Sequence, residues 1–161
     1  MDIIITPYQN AFIKGRNISD NILLALEIID EVRKKRRRRD RFGVLKIDMS
    51  KAYDRVSCNF LKAILTVMNF DSKWINWIME CISSVEYTLL TNGSMARSFK
   101  PFQGLRKGDP LSPYLFLLCA NILSISLTQA EDLRKIKGIK FGRSGLTFSQ
   151  LLFADDSLLF F

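Results

Sequence analysis

The feature that most constrains this fold is an apolar run near the end of the chain, interrupted at its centre by two adjacent aspartates. The segment is FSQLLFADDSLLFF, and the pair is Asp155 and Asp156. The β-forming residues on either side predict two strands joined by a turn at Ala154–Asp156. Two adjacent carboxylates on an apolar hairpin are unfavourable unless they face water or a cation neutralises them. The hairpin is therefore a candidate metal site, although Asp-Asp is also an ordinary turn dipeptide.

A third acidic residue ends another short apolar segment. Val44, Leu45 and Ile47 form a β-prone run that ends at Asp48. If this strand lies beside the hairpin, the three carboxylates supply the hard oxygen ligands that Mg²⁺ prefers. A pair of such ions can act on both oxygens of a phosphoryl displacement. The plainer alternative for Asp48 is the N-cap of a following helix.

Composition narrows the chemistry that the chain can perform. Its 161 residues suit one domain, and the net charge of +8 suggests a polyanionic partner, either nucleic acid or an anionic membrane surface. The sequence has no histidine, which excludes imidazole bases and histidine-ligated metals. The three cysteines, Cys58, Cys81 and Cys119, form no CxxC pair and are predicted to be buried free thiols.

Neither a signal peptide nor a long unbroken apolar stretch is apparent in the sequence. We therefore expect no transmembrane segment, no membrane partner and a location in the nucleus, the cytoplasm or both.

Periodicity predicts an α+β fold with the element order αβααββαββ. The segment NISDNILLALEIIDEVRKK has helical period, with Ser19 or Asp20 as its cap. Asn92-Gly93 between β-formers predicts a hairpin. Pro113 suits the first turn of a long apolar helix.

Seven consecutive cations, Arg33–Arg39, follow the first predicted helix. Three interpretations stay open: a solvated helix end that complements the macrodipole, a strip that contacts phosphates, and a nuclear-import patch.

Four segments together resemble a known family. KIDMSKAYDRV, QGLRKGDPLSPYLF and LLFADDSLLFF resemble, in order and spacing, motifs A, B and C of reverse transcriptases of non-LTR (LINE-type) retrotransposons, with a plant-type pattern. YQNAFIKGRNISDNILLALEII resembles the fingers motif upstream of motif A. The resemblance implies a right-hand polymerase palm, an antiparallel sheet backed by helices, over residues 42–161. It also implies a partial fingers segment over 1–41, with the thumb absent.

The resemblance also implies roles for individual residues. Asp48, Asp155 and the Met49 carbonyl would bind two Mg²⁺ ions, or Mn²⁺, and Asp156 would assist them. Tyr53 matches the aromatic gate that excludes a 2′-hydroxyl, and its plainer alternative is a core aromatic. Further implied contacts are those of Lys107 and Gly108 with the nucleotide, of Lys14 and Arg16 with template, and of Phe153 with the primer end. Lys107 stands where the family has glutamine, so an amide is replaced by a group that only donates.

The implied function is that of a fragment of an RNA-directed DNA polymerase, weak or inactive as an isolated chain. Its partners would be an RNA template, a DNA primer and a dNTP, with no specific protein partner indicated. One alternative is a non-catalytic basic module that binds RNA or RNA–DNA. Another is a decayed remnant of a retroelement.

Overall fold

The structure, a computed structural model, describes residues 4–36, 42–141 and 145–161. The chain divides into two compact units, one of Met1–Ser50 with Ala120–Phe161 and one of Lys51–Cys119. The helices are α1 (Ile18–Arg36), a 3₁₀ turn (Tyr53–Arg55), α2 (Cys58–Val67), α3 (Ser72–Ser83) and α4 (Ser112–Asp132). The strands are β1 (Val44–Asp48), β2 (Leu90–Thr91), β3 (Ser94–Met95), β4 (Ile139–Phe141), β5 (Leu146–Phe148), β6 (Gln150–Phe153) and β7 (Asp156–Phe160).

Helix α1 forms where the periodicity predicts it, but a different residue caps it. The side-chain oxygen of Asn17 accepts a hydrogen bond from the Ser19 amide at 3.1 Å. Asn17 is therefore the N-cap, and the prediction of Ser19 or Asp20 was wrong. Asp20 lies in the first turn, where its charge complements the helix dipole. The predicted basic strip continues beyond Arg36 into residues outside the described ranges.

The first unit is built around a three-stranded antiparallel sheet of order β1-β7-β6. Ala25, Ile28 and Val32 of α1 pack with Leu151 and Phe160 of the sheet into a buried cluster. Ile28 and Phe160 are almost completely buried, so α1 and the sheet form one core. The hairpin turn is shorter than predicted, because Asp156 pairs with Phe153 and belongs to β7.

A second hairpin, β4–β5, was not predicted. The segment GLTFSQLLF reads as one strand, but the structure divides it at Ser149 into β5 and β6. The Ser149 hydroxyl donates to Glu131 Oε2 at 2.7 Å, and its carbonyl accepts from the Phe160 amide at 2.9 Å. Strand β5 pairs with β4 instead of continuing the main sheet.

The second unit is mainly helical. Ser57 caps α2 and Asp71 caps α3 through their side-chain oxygens. The predicted hairpin at Asn92-Gly93 is confirmed, with φ values of 51° and 79° that suit a two-residue turn. The fold class is thus α+β, as predicted, with helices and small antiparallel sheets.

Helix α4 begins at Ser112, so Pro113 lies in its first turn as predicted. By length and composition alone α4 could cross a membrane, which is weak evidence, because core helices share these properties. Its Asn121 accepts from the Thr6 amide at 2.9 Å and donates to the Ile4 carbonyl at 3.0 Å. Ser124, with no exposed surface, accepts at its carbonyl from Gln150 at 3.0 Å. These are the polar contacts of a core helix.

All three cysteines are free, as predicted, but their burial was overestimated. Cys81 is exposed, whereas Cys58 and Cys119 are partly buried. Burial raises the pKa of the Cys119 thiol to about 12. Cys119 is therefore protonated and inert at neutral pH, and Cys81 is the accessible thiol.

Candidate functional site

Two of the predicted acidic residues meet directly across the sheet. Strands β1 and β7 pair antiparallel in a register that sets Asp48 opposite Asp156. Directly opposed residues lie on the same face, with Cα atoms about 4.5–5.5 Å apart. Opposed like charges destabilise a sheet. The pair therefore needs either solvent or a cation.

Asp155 lies next to this pair, in the two-residue turn between β6 and β7. The Met49 amide, which follows Asp48, donates to the Asp155 carbonyl at 3.4 Å. Ala154 has φ +59°, a left-handed conformation that is uncommon for a residue with a side chain. We call the group of Asp48, Asp155 and Asp156 the carboxylate end of the sheet.

One cation of the chain already lies at the carboxylate end. Lys46 is two residues before Asp48 on the same strand face, and its Nζ is 3.2 Å from Asp156 Oδ1. That oxygen is shielded from solvent and forms no hydrogen bond with the described residues, so the contact is an ion pair without hydrogen-bond geometry. Both side chains are otherwise substantially exposed. Such a pair contributes at most about 1 kcal/mol, so another cation can displace Lys46.

The donors at the carboxylate end fit a divalent cation in chemistry and in backbone placement. They are hard oxygens at adjacent positions, and one of them, Asp156 Oδ1, is shielded without a hydrogen bond. Within the described residues, no group of three acidic, cysteine or histidine side chains is placed so that it could hold a metal ion, so the fit lies in the donor chemistry and the strand register alone. Mg²⁺ keeps several waters and binds through one or two carboxylates plus substrate phosphates. An open arrangement therefore suits it.

A buried glutamine that sequence reasoning missed holds the turn at the carboxylate end. Gln9 is only 3% exposed. Its Oε1 accepts from the Ala154 amide at 3.1 Å and from the Ala11 amide at 2.9 Å. Its Nε2 donates to the Ala154 carbonyl at 3.4 Å. Gln9 thus satisfies both backbone groups of the left-handed residue beside Asp155.

Asn21 ties the same region to helix α1. Its Nδ2 donates to the carbonyls of Tyr8 at 2.9 Å and Leu152 at 3.0 Å. Its Oδ1 accepts from Asn10 Nδ2 at 2.8 Å. No local pattern in the sequence marks Gln9 or Asn21 as buried, because Ala154 and Leu152, to which they bond, lie far along the chain.

The Arg16 side chain forms hydrogen bonds with backbone carbonyls of its own chain. Its guanidinium donates to the carbonyls of Ile5, Thr6 and Gln9 at 3.2, 2.7 and 2.8 Å. Arg16 therefore orders the segment that carries Gln9, and its predicted template contact stays a prediction. Lys14 is exposed on the surface.

An open cleft of about 540 Å³ adjoins Asp155. Phe153 and Ala154 line it on the hairpin side, and Phe12, Arg16 and Ile18 line the other. The predicted primer-end residue Phe153 thus lies in the same cleft as Asp155, whereas Lys14 does not line it.

Tyr53 belongs to the second unit, where it opens the 3₁₀ turn. Its ring stacks on Phe116 with centroids 4.9 Å apart and an angle of 16° between the planes. The Tyr53 carbonyl accepts from the Leu105 amide at 2.9 Å. The ring is half-buried and held in place, which suits both the gate and the core interpretation.

The two glycines of the motif B loop have different surroundings. Gly104 has φ +102°, and a Cβ there would lie 3.1 Å from the Cα and carbonyl oxygen of Asp54. Gly108 has φ +87° and open space where a Cβ would lie. Lys107 Nζ is 3.8 Å from Asp54 Oδ2, with both side chains exposed. Gly104 therefore packs the loop, and Gly108 faces open space.

Sequence comparison settles the family. The profile described as reverse transcriptase (RNA-dependent DNA polymerase) matches residues 3–161. The chain belongs to the reverse transcriptase family.

Two of three relatives of this reverse transcriptase domain carry transposon names, and the third is a mitochondrial protein. It is 30% identical over 148 residues to the Pol polyprotein of the type-1 retrotransposable element R2 of Popillia japonica, covering 91% of the chain and 20% of that protein. It is 26% identical over 156 residues to the transposon TX1 149 kDa protein of Xenopus laevis, covering 97% and 11%. An uncharacterised mitochondrial protein of Arabidopsis thaliana is 41% identical over 68 residues, covering 42% and 56%.

The structural comparison supports the fold. Apo telomerase of Candida tropicalis, truncated from its C-terminal domain, superposes with a TM-score of 0.56 at 17% identity, covering 74% of the chain and 24% of telomerase. The chain thus shares its fold with part of a longer protein, and it spans 56% or less of the relatives named above.

Proposed function

We propose that the chain is the fingers and palm part of an RNA-directed DNA polymerase that copies an RNA template. In this reaction a primer 3′-hydroxyl attacks the α-phosphate of a dNTP and pyrophosphate leaves. The observation that carries the proposal is the register that puts Asp48 opposite Asp156, with Asp155 in the adjoining turn. No protein nucleophile is required, which agrees with the absence of histidine.

The carboxylate end would bind Mg²⁺ or Mn²⁺. Asp48, Asp155 and the Met49 carbonyl would supply ligands, and Asp156 would orient them. When bound, two such ions stabilise the charge on the attacking and leaving oxygens. Gln9 supports this role because it fixes the backbone of the turn that presents Asp155.

Tyr53, Lys107 and Gly108 would select and bind the incoming nucleotide. Tyr53, fixed by its stack on Phe116, would exclude ribonucleotides because its ring leaves no room for a 2′-hydroxyl. The open side of Gly108 would let backbone approach the nucleotide closely. Lys107 would contact a phosphate, since an ammonium group donates and cannot accept.

The fingers-like segment and the hairpin would contact nucleic acid. Phe153, which lines the cleft beside Asp155, would lie near the primer end. Lys14, exposed on the surface, would approach the template, and Arg16 would shape the same cleft from its hydrogen-bonded position.

Primer extension on poly(rA)/oligo(dT) with Mg²⁺ tests the proposal. Asp155→Asn should reduce extension more than about a hundredfold, because it removes a negatively charged ligand. The matched control is Asp30→Asn, which removes an exposed carboxylate paired with Lys34 on α1. Equal extension by wild type and Asp155→Asn would overturn the proposal.

A second measurement is needed because the isolated chain is expected to polymerise weakly. Mn²⁺ binding, followed by electron paramagnetic resonance, should be lost in Asp48→Asn/Asp155→Asn and retained in Asp30→Asn. Mn²⁺ binding that is the same in all three proteins would remove the metal site from the proposal.

A non-catalytic RNA-binding role is the second candidate, favoured by the net charge and by Lys46 beside Asp156. It predicts salt-dependent RNA binding that survives Asp48→Asn/Asp155→Asn and is lost when residues 36–39 become alanine, without any primer extension. For either role we would expect the chain in the nucleus, the cytoplasm or both, where RNA is available to it.

A further inference from the structure

A cluster of cations lies at the end of the sheet opposite the carboxylate end. On β7, Phe160 is four residues beyond Asp156, which corresponds to about 13 Å along a strand. The Phe160 amide donates to the Ser149 carbonyl at 2.9 Å. The Ser149 hydroxyl donates to Glu131 near the end of α4 at 2.7 Å. The end of α4 therefore abuts the far end of the sheet.

The end of α4 has an unusual residue in its capping turn. The Arg134 amide donates to the Glu131 carbonyl and the Lys135 amide to the Ala130 carbonyl, each at 2.8 Å. These two bonds form a Schellman motif, in which the left-handed position is normally glycine. Here Arg134 occupies that position with φ +56°. A strained non-glycine residue suggests that its side chain has a function.

Three cations surround a pocket of about 310 Å³ between this turn and the β4–β5 hairpin. They are Arg134, Lys137 and Lys140, and we call their site the basic pocket. Its floor is tight at Gly138, where a Cβ would lie 2.8 Å from the Phe148 carbonyl oxygen and 2.9 Å from Glu131 Oε1. A side chain at this position would force its neighbours apart.

The basic pocket has an excess of positive charge. Among the described residues, Glu131 is the single carboxylate that lines the pocket, and it already accepts a hydrogen bond from the Ser149 hydroxyl. In the described ranges of the chain, Arg134 and Lys137 take part in no ion pair. Their guanidinium and ammonium groups are exposed and available to an anion.

We propose that the basic pocket binds backbone phosphates of an RNA strand, as an anchor separate from the carboxylate end. The inference rests on the proposed function only in taking RNA as the partner. Spaced, exposed cations neutralise successive phosphates without reading bases, which gives salt-dependent binding. An anchor at the far end of the sheet would hold RNA without competing for the metal ligands.

The plainer explanation of these cations is that they complement the helix C-terminal dipole. It accounts for cations near the end of α4 but not for arginine at the left-handed position. Nor does it account for Lys140, which lies on strand β4.

Binding of a labelled single-stranded RNA at several salt concentrations tests the proposal. Arg134→Gln/Lys137→Gln/Lys140→Gln should weaken binding about tenfold or more at low salt. The slope of log K against log salt should fall by about 2, near 0.7 per lost phosphate contact. The control is Lys62→Gln/Lys73→Gln/Lys100→Gln, which removes the same charge from exposed positions of the second unit. It should change the affinity less than about threefold with the slope kept. Equal weakening by both variants, or none by the pocket variant, overturns the proposal.

Arg134→Gly separates function from folding. Glycine suits the left-handed position, so the melting temperature should stay equal or rise while RNA affinity falls. Unchanged RNA affinity in Arg134→Gly would contradict a role for this side chain.

Further binding experiments identify the ligand and test this inference independently of the polymerase proposal. Inorganic phosphate and ATP should compete with RNA only weakly, and tight competition by either would show a small-molecule site instead. A pocket variant that loses binding to phosphatidylserine vesicles but not to RNA would also overturn the proposal. RNA binding at the pocket should persist in Asp48→Asn/Asp155→Asn, whatever the outcome of primer extension.

Discussion

The two ends of the main sheet differ in charge and in how the chain builds them. The carboxylate end brings together Asp48 and Asp156, which are far apart in sequence, by strand pairing. The basic pocket lies within one short stretch from the end of α4 to β5. Strand pairing fixes which residues of distant segments lie opposite each other. A local turn only keeps nearby residues in the same region of the surface. We infer that a metal site needs side chains positioned by a fixed strand register, whereas electrostatic binding of phosphates needs less exact positions.

Breaking the support of the carboxylate end should have the largest effect on stability. Gln9→Leu removes the partners of the Ala154 and Ala11 amides in a buried site. Each unsatisfied group costs about 1–3 kcal/mol, so we expect a loss of roughly 2–5 kcal/mol, measured by urea unfolding. A matched control is Gln129→Leu on the exposed surface of α4, which should change stability little. A loss of unfolding free energy below about 0.5 kcal/mol in Gln9→Leu would show that the turn keeps its conformation without the Gln9 hydrogen bonds.

At the basic pocket, a substitution should raise the free energy of unfolding, again measured with urea. Arg134→Gly relieves a left-handed conformation that costs about 1–2 kcal/mol. Glycine loses about 0.5–1 kcal/mol more backbone entropy on folding. We therefore expect a net gain of about 0.5–1 kcal/mol in the free energy of unfolding. Asn69→Gly, at another left-handed residue with φ +58°, is the control and should gain less, since asparagine tolerates this region. A loss of stability in Arg134→Gly would indicate that the arginine side chain makes a stabilising contact.

The smallest effect should come from Lys46. Its exposed ion pair with Asp156 implies that Lys46→Gln lowers stability by less than about 1 kcal/mol. The same change should strengthen Mn²⁺ binding severalfold, because a competing cation is removed from the carboxylate end. Titration of the variant beside Lys62→Gln would measure this. Weaker Mn²⁺ binding in Lys46→Gln would mean that the lysine helps to orient Asp156.

Much of the fold could be predicted from local patterns. The Asn92-Gly93 hairpin, the apolar helix beginning near Pro113 and the α+β class all follow from short-range signals. The β4–β5 hairpin could not be predicted in this way. Ser149 divides one apolar segment only through its bonds to Glu131 and Phe160. Partners this distant leave no local trace in the sequence.

At the candidate site, the carboxylates were visible because acids are costly in apolar strands. The amides that support them were not. Gln9 and Asn21 look like ordinary polar residues, and only the fold shows that both are buried and bound to backbone of β6 and its turn. For Arg16, the family resemblance implied a template contact, which stays a prediction, and the structure adds that its guanidinium donates to carbonyls of its own chain.

The hairpin that carries Asp155 determines where insertions and deletions would disturb the carboxylate end. Because the turn has two residues and β7 pairs directly with β1, one inserted or deleted codon there would change the turn that presents Asp155 or shift the register that sets Asp156 opposite Asp48. Codons gained in the exposed stretch around Asn92-Gly93 would leave that geometry intact. Copies that drift without selection should therefore gain and lose codons equally in both places, whereas copies under selection should spare the turn.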